Sequence, residues 1–188
     1  MTSRPGAPAR GGAFPGFDSP AVGFEQPFEM LGACHERVRR SLALLGRLTL
    51  HIDAHGHDVN SRSAAADVLR YFDLAAPLHH QDEERHVFPA LADSDDAGLT
   101  VAVAGLRADH ARMEALWAHL RTTLVEWSRC DAAGAIDDAV RRCASEFEHL
   151  YAGHLQAEEG VVFPAARARM GAAQLAAMSA DMAHRRRA

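Results

Sequence analysis

The sequence predicts an all-α protein, an up-down-up-down four-helix bundle with a short extra C-terminal helix and a Pro/Gly-rich N-terminal tail. Two observations support this class. Four long segments carry apolar residues at the three-and-four spacing of an amphipathic helix, whereas the period of two that is typical of β-strands is absent. With 188 residues, 48% of them apolar, the chain is long enough to bury one sizeable core, so we expect a single compact domain.

Ten residues between positions 5 and 27 are Pro or Gly, a density that prevents regular structure. We therefore expect residues 1–27 to form a tail, residues 28–168 to form the bundle, and residues 169–188 to form a C-terminal helix with a basic end. The short fifth helix is expected to cover one end of the body or to pack outside it. The predicted helices run from about Phe28 to Ala54, from Ser63 as N-cap to Leu91, from Leu99 to Ser128, from Ile136 to Ala168, and from Ala172 to Arg185.

The second and fourth helices contain the same motif, a His-x-x-x-Glu-Glu followed by Phe-Pro-Ala, at an offset of 75 residues. It begins at His79 in one copy and at His154 in the other. On the first and third helices, His35 and His110 are also 75 residues apart. The chain thus consists of two helical hairpins of one design.

Antiparallel helices place residues at equal height when they are equidistant from the loop between them. The midpoints between successive histidines of this set fall at residue 57, between 94 and 95, and at 132, all within predicted loops. The bundle therefore brings four histidines, one per helix, to a common level. Their places on the apolar stripes point them inward.

Glu83 and Glu158 follow their histidines by four residues, and Glu114 follows His110 in the same way, so each lies one turn along on the same face. Buried carboxylates are costly unless a cation lies between them, which favours a metal site. A single buried histidine or one His-x-x-x-Glu would more simply be a core or surface feature. The candidate metal ligands are His35, His79, Glu83, His110, Glu114, His154 and Glu158.

The other histidines, at positions 51, 55, 57, 80, 86, 119, 149 and 184, lie off the stripes or near helix ends, and we expect them at the surface. Glu84 and Glu159 suit hydrogen bonding to ligands or solvation equally well. The two Phe-Pro pairs predict packing and helix kinking. The arginines at positions 185 to 187 predict a solvated cationic terminus.

Net charge is −5 and the pI is about 6.2, so no global basic field attracts nucleic acid or an anionic membrane. No apolar run is long enough to span a bilayer, and the N-terminus lacks the apolar region of a secretory signal. Cys34, Cys130 and Cys143 have no metal-ligand spacing and suit free thiols in a reducing compartment. We therefore expect a cytoplasmic protein with no nucleic-acid or membrane partner.

These motifs resemble the hemerythrin family, in its bacterial form called the HHE cation-binding domain, over about Phe28 to Ala168. The resemblance implies two iron ions in a non-haem, oxo- or hydroxo-bridged centre, for which zinc or manganese would be substitutes. It implies His35 and His79 on one iron, His110 and His154 on the other, and two bridging carboxylates, Glu83 and Glu158.

One residue departs from the oxygen-carrying members, which have a second histidine where this chain has Glu114. A carboxylate there would favour ferric iron and would disfavour simple reversible oxygen carriage. At the equivalent place on the first helix, Arg39 cannot ligate a metal, which leaves an open position for dioxygen, peroxide or nitric oxide. The favoured function is binding or sensing of dioxygen or iron. The alternatives are a di-iron enzyme acting on hydrogen peroxide or nitric oxide, and a metal-free helical interaction module.

Overall fold

The structure is a computed structural model that describes residues 23–129 and 136–187. Within these ranges the chain forms five helices and no strand, which confirms the all-α class. The first 22 residues, which include most of the predicted tail, lie outside the described ranges, as does Cys130. The helices are α1 (Pro27–His55), α2 (59–91), α3 (Ala97–Trp127), α4 (138–169) and α5 (Ala172–Arg185).

Aspartates cap the starts of α2, α3 and α4. Asp58 accepts a hydrogen bond from the backbone N–H of Ser61 at 2.8 Å, while the Ser61 hydroxyl accepts one from the N–H of Asp58 at 2.9 Å. This reciprocal pair satisfies two backbone donors that a helix start leaves unpaired. The prediction that Ser63 caps α2 is therefore wrong, because the helix begins four residues earlier at Val59.

Wide turns with hydrogen bonds from residue i+5 to residue i interrupt α2 and α4 at three places. In each case a proline stands two positions after the last residue of the turn. Because proline lacks an N–H and its ring excludes the carbonyl four residues back, the chain relaxes into a π turn without ending the helix. The turns are Tyr71–Ala75, Glu83–Val87 and Glu158–Val162, and the prolines are Pro77, Pro89 and Pro164.

The buried apolar side chains form two clusters, one at each end of the four long helices. One is centred on Leu42, Phe72, Leu120 and Phe147, and the other on residues that include Phe88. The order in which a helix passes through the two clusters alternates from α1 to α4. A layer of buried histidines and glutamates lies between the clusters, so apolar packing encloses it on both sides.

The C-terminal helix packs against the bundle, with Met178 and Met182 fully buried in the second cluster. The prediction of a solvated cationic terminus is wrong for two of its arginines. Arg185 pairs with the fully buried Asp82, and Nη2 of Arg186 lies 2.5 Å from the same carboxylate. Burial of Asp82 requires such partners, since an uncompensated charge in the core is costly.

Among the described residues, no helix is both long enough and apolar enough to cross a membrane. Cys34 is a buried free thiol and Cys143 a partly buried one.

Candidate metal centre

Six of the seven predicted ligands converge in the polar layer. They form two groups in which the candidate ligand atoms all lie within 4.8 Å of one another. Glu83 and Glu158 belong to both groups, so their carboxylates stand between the two positions. The first group adds His35 and His79, and the second adds His110 and His154. All six side chains are buried, with exposed fractions from 0% to 8%.

The spacing within each group is that of atoms facing a common cation. Two ligands about 2.1 Å from one metal, at about 90–110° to each other, lie about 3.0–3.4 Å apart. The Nε2 atom of His79 is 3.1 Å from Glu83, and Nε2 of His154 is 3.1 Å from Glu158. The contact between Nε2 of His35 and Glu158 is 3.2 Å. These distances fit metal coordination.

Most of these atoms nevertheless have no hydrogen bond. Among the described residues, no hydrogen bond is made to either carboxylate oxygen of Glu83 or Glu158, to Nε2 of His35, or to either ring nitrogen of His79, although these atoms lie close to one another. Buried polar atoms normally have a hydrogen-bond partner. A cluster of buried lone pairs without one therefore indicates a bound partner other than the side chains of this protein. A cation between them would be a partner for the ring and carboxylate lone pairs that face inward.

The pKa shifts of the buried glutamates and histidines indicate the same lack of positive charge. Burial, together with the neighbouring charge of Glu158, raises the pKa of Glu83 well above its usual value. Burial opposes ionisation of Glu158 as well, but its contacts with His154 and His35 lower its pKa overall. Burial lowers the pKa of His79. Ionisation of both carboxyl groups together is therefore disfavoured unless a cation compensates their charge.

A carboxylate orients His35 from outside the cluster. The Nδ1 atom of His35 lies 2.8 Å from Oε1 of Glu159, and Arg39 donates to both oxygens of that carboxylate at 2.8 and 2.9 Å. A carboxylate on Nδ1 fixes the tautomer that leaves the Nε2 lone pair facing inward. Arg39 thus acts on the cluster indirectly, by holding Glu159 against His35.

The second hairpin repeats this arrangement. The Nδ1 atom of His110 lies 3.0 Å from Glu84, which pairs with Arg107. On the same helix, Asp109 lies 3.4 Å from Nδ1 of His154. Glu84 and Glu159 are therefore hydrogen-bonded to candidate ligands. The sequence did not lead us to predict Asp109 as a partner of a candidate ligand. Its position next to His110 was the one feature that could have indicated this.

Both bridging candidates open a π turn. The carbonyl of Glu83 accepts from the N–H of Phe88 at 2.9 Å, and that of Glu158 accepts from the N–H of Phe163. A π turn changes the direction in which the residues before it project relative to those after it, and such turns recur at functional sites. The Phe-Pro pair therefore sets the helix geometry directly at each of these glutamates.

Glu114 is not brought to the cluster. It is exposed and lines an open cleft outside His110. The reason is angular: four residues advance a helix by about 400°, so Glu114 projects about 40° further round α3 than His110. Because His110 already lies at the edge of the inward face, with 8% of its surface exposed, that rotation carries Glu114 out of the core.

The prediction that His80 lies at the surface is wrong, because this residue is partly buried. Its ring stacks on His110 with centroids 4.1 Å apart, and its Nε2 lies 3.4 Å from the hydroxyl of Tyr151. His80 therefore lies between the cluster and the cleft. His119 and His149 are exposed as predicted, whereas His86 is partly buried against Asp181 at 2.7 Å.

Comparison with known proteins agrees with this geometry. Over 103 residues the chain is 34% identical to an uncharacterized protein of Haemophilus influenzae (strain ATCC 51907 / DSM 11121 / KW20 / Rd). That alignment covers 55% of this chain and 59% of the relative, so it spans less than two thirds of the relative's length. Residues 26–166 match the family described as the Hemerythrin HHE cation binding domain, and the chain belongs to this family.

Proposed function

We propose that this protein holds two iron ions in the polar layer of its bundle and uses them to bind or sense dioxygen or iron. His35 and His79 would hold one ion and His110 and His154 the other, with Glu83 and Glu158 shared between them. The observation that carries the proposal is the set of buried lone pairs without hydrogen bonds. Iron bound here would supply an open position for a small molecule such as dioxygen, peroxide or nitric oxide.

The donor set supports iron in particular. Each group combines two imidazoles with two carboxylate donors, a mixed set of intermediate hardness that suits iron. Zinc and manganese also accept these donors, so metal analysis is the direct test. The metal-free interaction module is disfavoured, because such a module would satisfy its buried polar atoms with one another.

The alternating order of the two apolar clusters along α1 to α4 supports an up-down-up-down arrangement of the helices. In that arrangement all four helices contribute to the centre, so bound metal links both hairpins. We propose that metal removal loosens the fold, because no cation then compensates the charge of the Glu83 and Glu158 carboxylates.

We also propose a cytoplasmic location for the protein.

The test is elemental analysis of aerobically and anaerobically purified protein, with near-ultraviolet absorption spectra. Wild type should contain two irons per chain. Glu83→Ala should lose both the iron and the charge-transfer bands, because it removes a carboxylate that both ions share. Glu126→Ala is the matched control, since Glu126 is exposed near the end of α3 and should leave iron content unchanged.

Absence of metal from both preparations, with stability indifferent to a chelator, would refute the proposal. Detection of two zinc or two manganese ions in place of iron would confirm the metal site but would contradict the assignment of iron. Turnover of hydrogen peroxide well above the rate for free iron would replace binding or sensing with the enzymatic alternative.

A further inference from the structure

An open cleft of about 660 Å³ lies between α2 and α3 and reaches inward to α4. Its size is that of sites for small organic molecules and far exceeds what dioxygen or peroxide needs. The cleft ends beside His80 and His110, on the outer side of the metal centre. Aromatic and thioether side chains form its inner wall, namely Phe72, Met113, Trp117, Phe147 and Tyr151.

Trp117 is held in place within this wall. Its indole N–H donates to Asp73 at 2.9 Å, and Asp73 also accepts from Nε of Arg121 at 2.9 Å. The indole contacts the rings of Phe72 and Phe147, with centroids 5.1 and 6.0 Å away. An indole fixed in this way is a preorganised surface for an apolar or cationic group.

The charges of the cleft leave one carboxylate without a partner. Asp73 pairs with Arg121 at one end, and Glu84 pairs with Arg107 at the other. Glu114 lies on α3 midway between these arginines, seven residues from each. No cationic side chain among the described residues pairs with Glu114, so the three acids and two arginines of the cleft leave one negative charge.

We propose that this cleft binds an organic monocation, an ammonium compound with an aromatic or branched apolar body. Glu114 compensates the positive charge, and the wall around Trp117 takes the apolar body. A neutral ligand would leave Glu114 uncompensated, and an anion would be repelled by it. Of the six metal-ligand candidates only His110 lines the cleft, and neither Glu114 nor the wall around Trp117 belongs to that set, so binding of the cation should not require the metal.

The test measures ligand binding through the fluorescence of Trp117. The chain has two tryptophans, and Trp127→Phe leaves Trp117 as the only one. Trp127 lies ten residues further along α3 and does not line the cleft, so its replacement by another aromatic residue should leave the lining intact. In that background, benzyltrimethylammonium should change the emission of Trp117 saturably, whereas benzyl alcohol and benzoate should bind more weakly.

Glu114→Gln should raise the Kd for benzyltrimethylammonium about two- to fivefold, the range for an exposed charge interaction. It should leave the Kd for benzyl alcohol unchanged, and Glu126→Gln should affect neither. Iron content, measured on the same samples, is expected to stay at its starting value, which separates this proposal from that for the metal centre.

Equal Kd values for the cation in Glu114→Gln and its parent would overturn the proposal, as would tighter binding of benzoate. Absence of saturable binding by both fluorescence and calorimetry would also overturn it. Circular dichroism of each variant identifies loss of folding, and Trp117→Leu in an otherwise unaltered chain, measured by calorimetry, tests the wall independently of the carboxylate.

Discussion

Glu159 lies 2.8 Å from Nδ1 of His35, although 124 residues separate them in the sequence. The neighbouring residue of the same helix, Glu158, lies 3.2 Å from the other ring nitrogen of His35. Two consecutive glutamates of α4 therefore hold one imidazole of α1 from opposite sides. One is buried within the cluster, and the other is partly exposed and paired with Arg39.

The outer contact should matter for metal affinity. Glu159→Ala frees the ring of His35 to rotate and removes the acceptor that fixes its tautomer, so we expect about a tenfold weaker affinity at that position. Chelator competition measures the effect. Glu146→Ala removes a surface pair with Arg112 and should leave affinity unchanged. Equal affinities for Glu159→Ala and Glu146→Ala would show that the outer contact does not orient the ligand.

Glu114→Gln should retain the full complement of metal. The side chain is exposed and belongs to neither group of converging atoms, so its charge does not contribute to coordination. Elemental analysis beside Glu158→Gln, which should lose metal, makes the comparison. Loss of one ion in Glu114→Gln would mean that α3 rotates on metal binding and would restore this residue as a ligand.

Metal affinity should increase with pH. In the metal-free protein, burial and Glu158 raise the pKa of Glu83. Burial opposes protonation of His154, but Glu158 and Asp109 raise its pKa overall. These shifts favour the protonated form of both groups, and a cation competes with the protons, so binding should release protons and metal affinity should rise with pH.

Calorimetry of metal binding in two buffers of different ionisation enthalpy measures this proton release.

The raised pKa of Glu83 also makes the stability of the fold depend on pH. Because the pKa of Glu83 is raised, its contribution to the stability of the metal-free protein is present below about pH 4.5 and is lost as pH rises through the folded value. The stabilisation by metal should therefore grow as the pH rises above about 5. A binding enthalpy independent of buffer would contradict the expected proton release.

Removal of the cations that compensate Asp82 should destabilise the bundle. The double variant Arg185→Gln with Arg186→Gln leaves a fully buried carboxylate unpaired, at a cost of about 3 kcal/mol in the free energy of unfolding. Urea denaturation measures it. Adding Asp82→Asn should recover part of the loss, since a neutral amide needs no cation. No recovery would show that the arginines act through packing alone.

Much of the centre could be predicted because it depends on periodicity. Helix spacing and loop midpoints are enough to bring His35, His79, His110 and His154 to one level. Whether Glu114 faces the cluster depends on about 40° of rotation around the axis of α3. An apolar stripe in the sequence does not define the direction of a side chain that precisely. The same limit explains His80, which is adjacent in sequence to a candidate ligand yet lies between the cluster and the cleft.

The docking of Arg185 and Arg186 could not be predicted for a different reason. Their partner is 103 or more residues away, and Asp82 lies within a motif whose other acidic residues already had assigned roles. A run of arginines at a terminus is usually solvated. The packing of the C-terminal helix through Met178 and Met182 places these arginines beside the buried carboxylate.

The sharing of Glu83 and Glu158 between the two ligand groups has a consequence for the origin of the chain. Each hairpin contributes two histidines to one group and one glutamate to both. Neither half alone has a complete set, but two copies of one half, related by a twofold axis, would have equivalent donors at both positions. The 75-residue repeat is thus what fusion of an ancestral symmetric dimer of helical hairpins would leave in a single polypeptide.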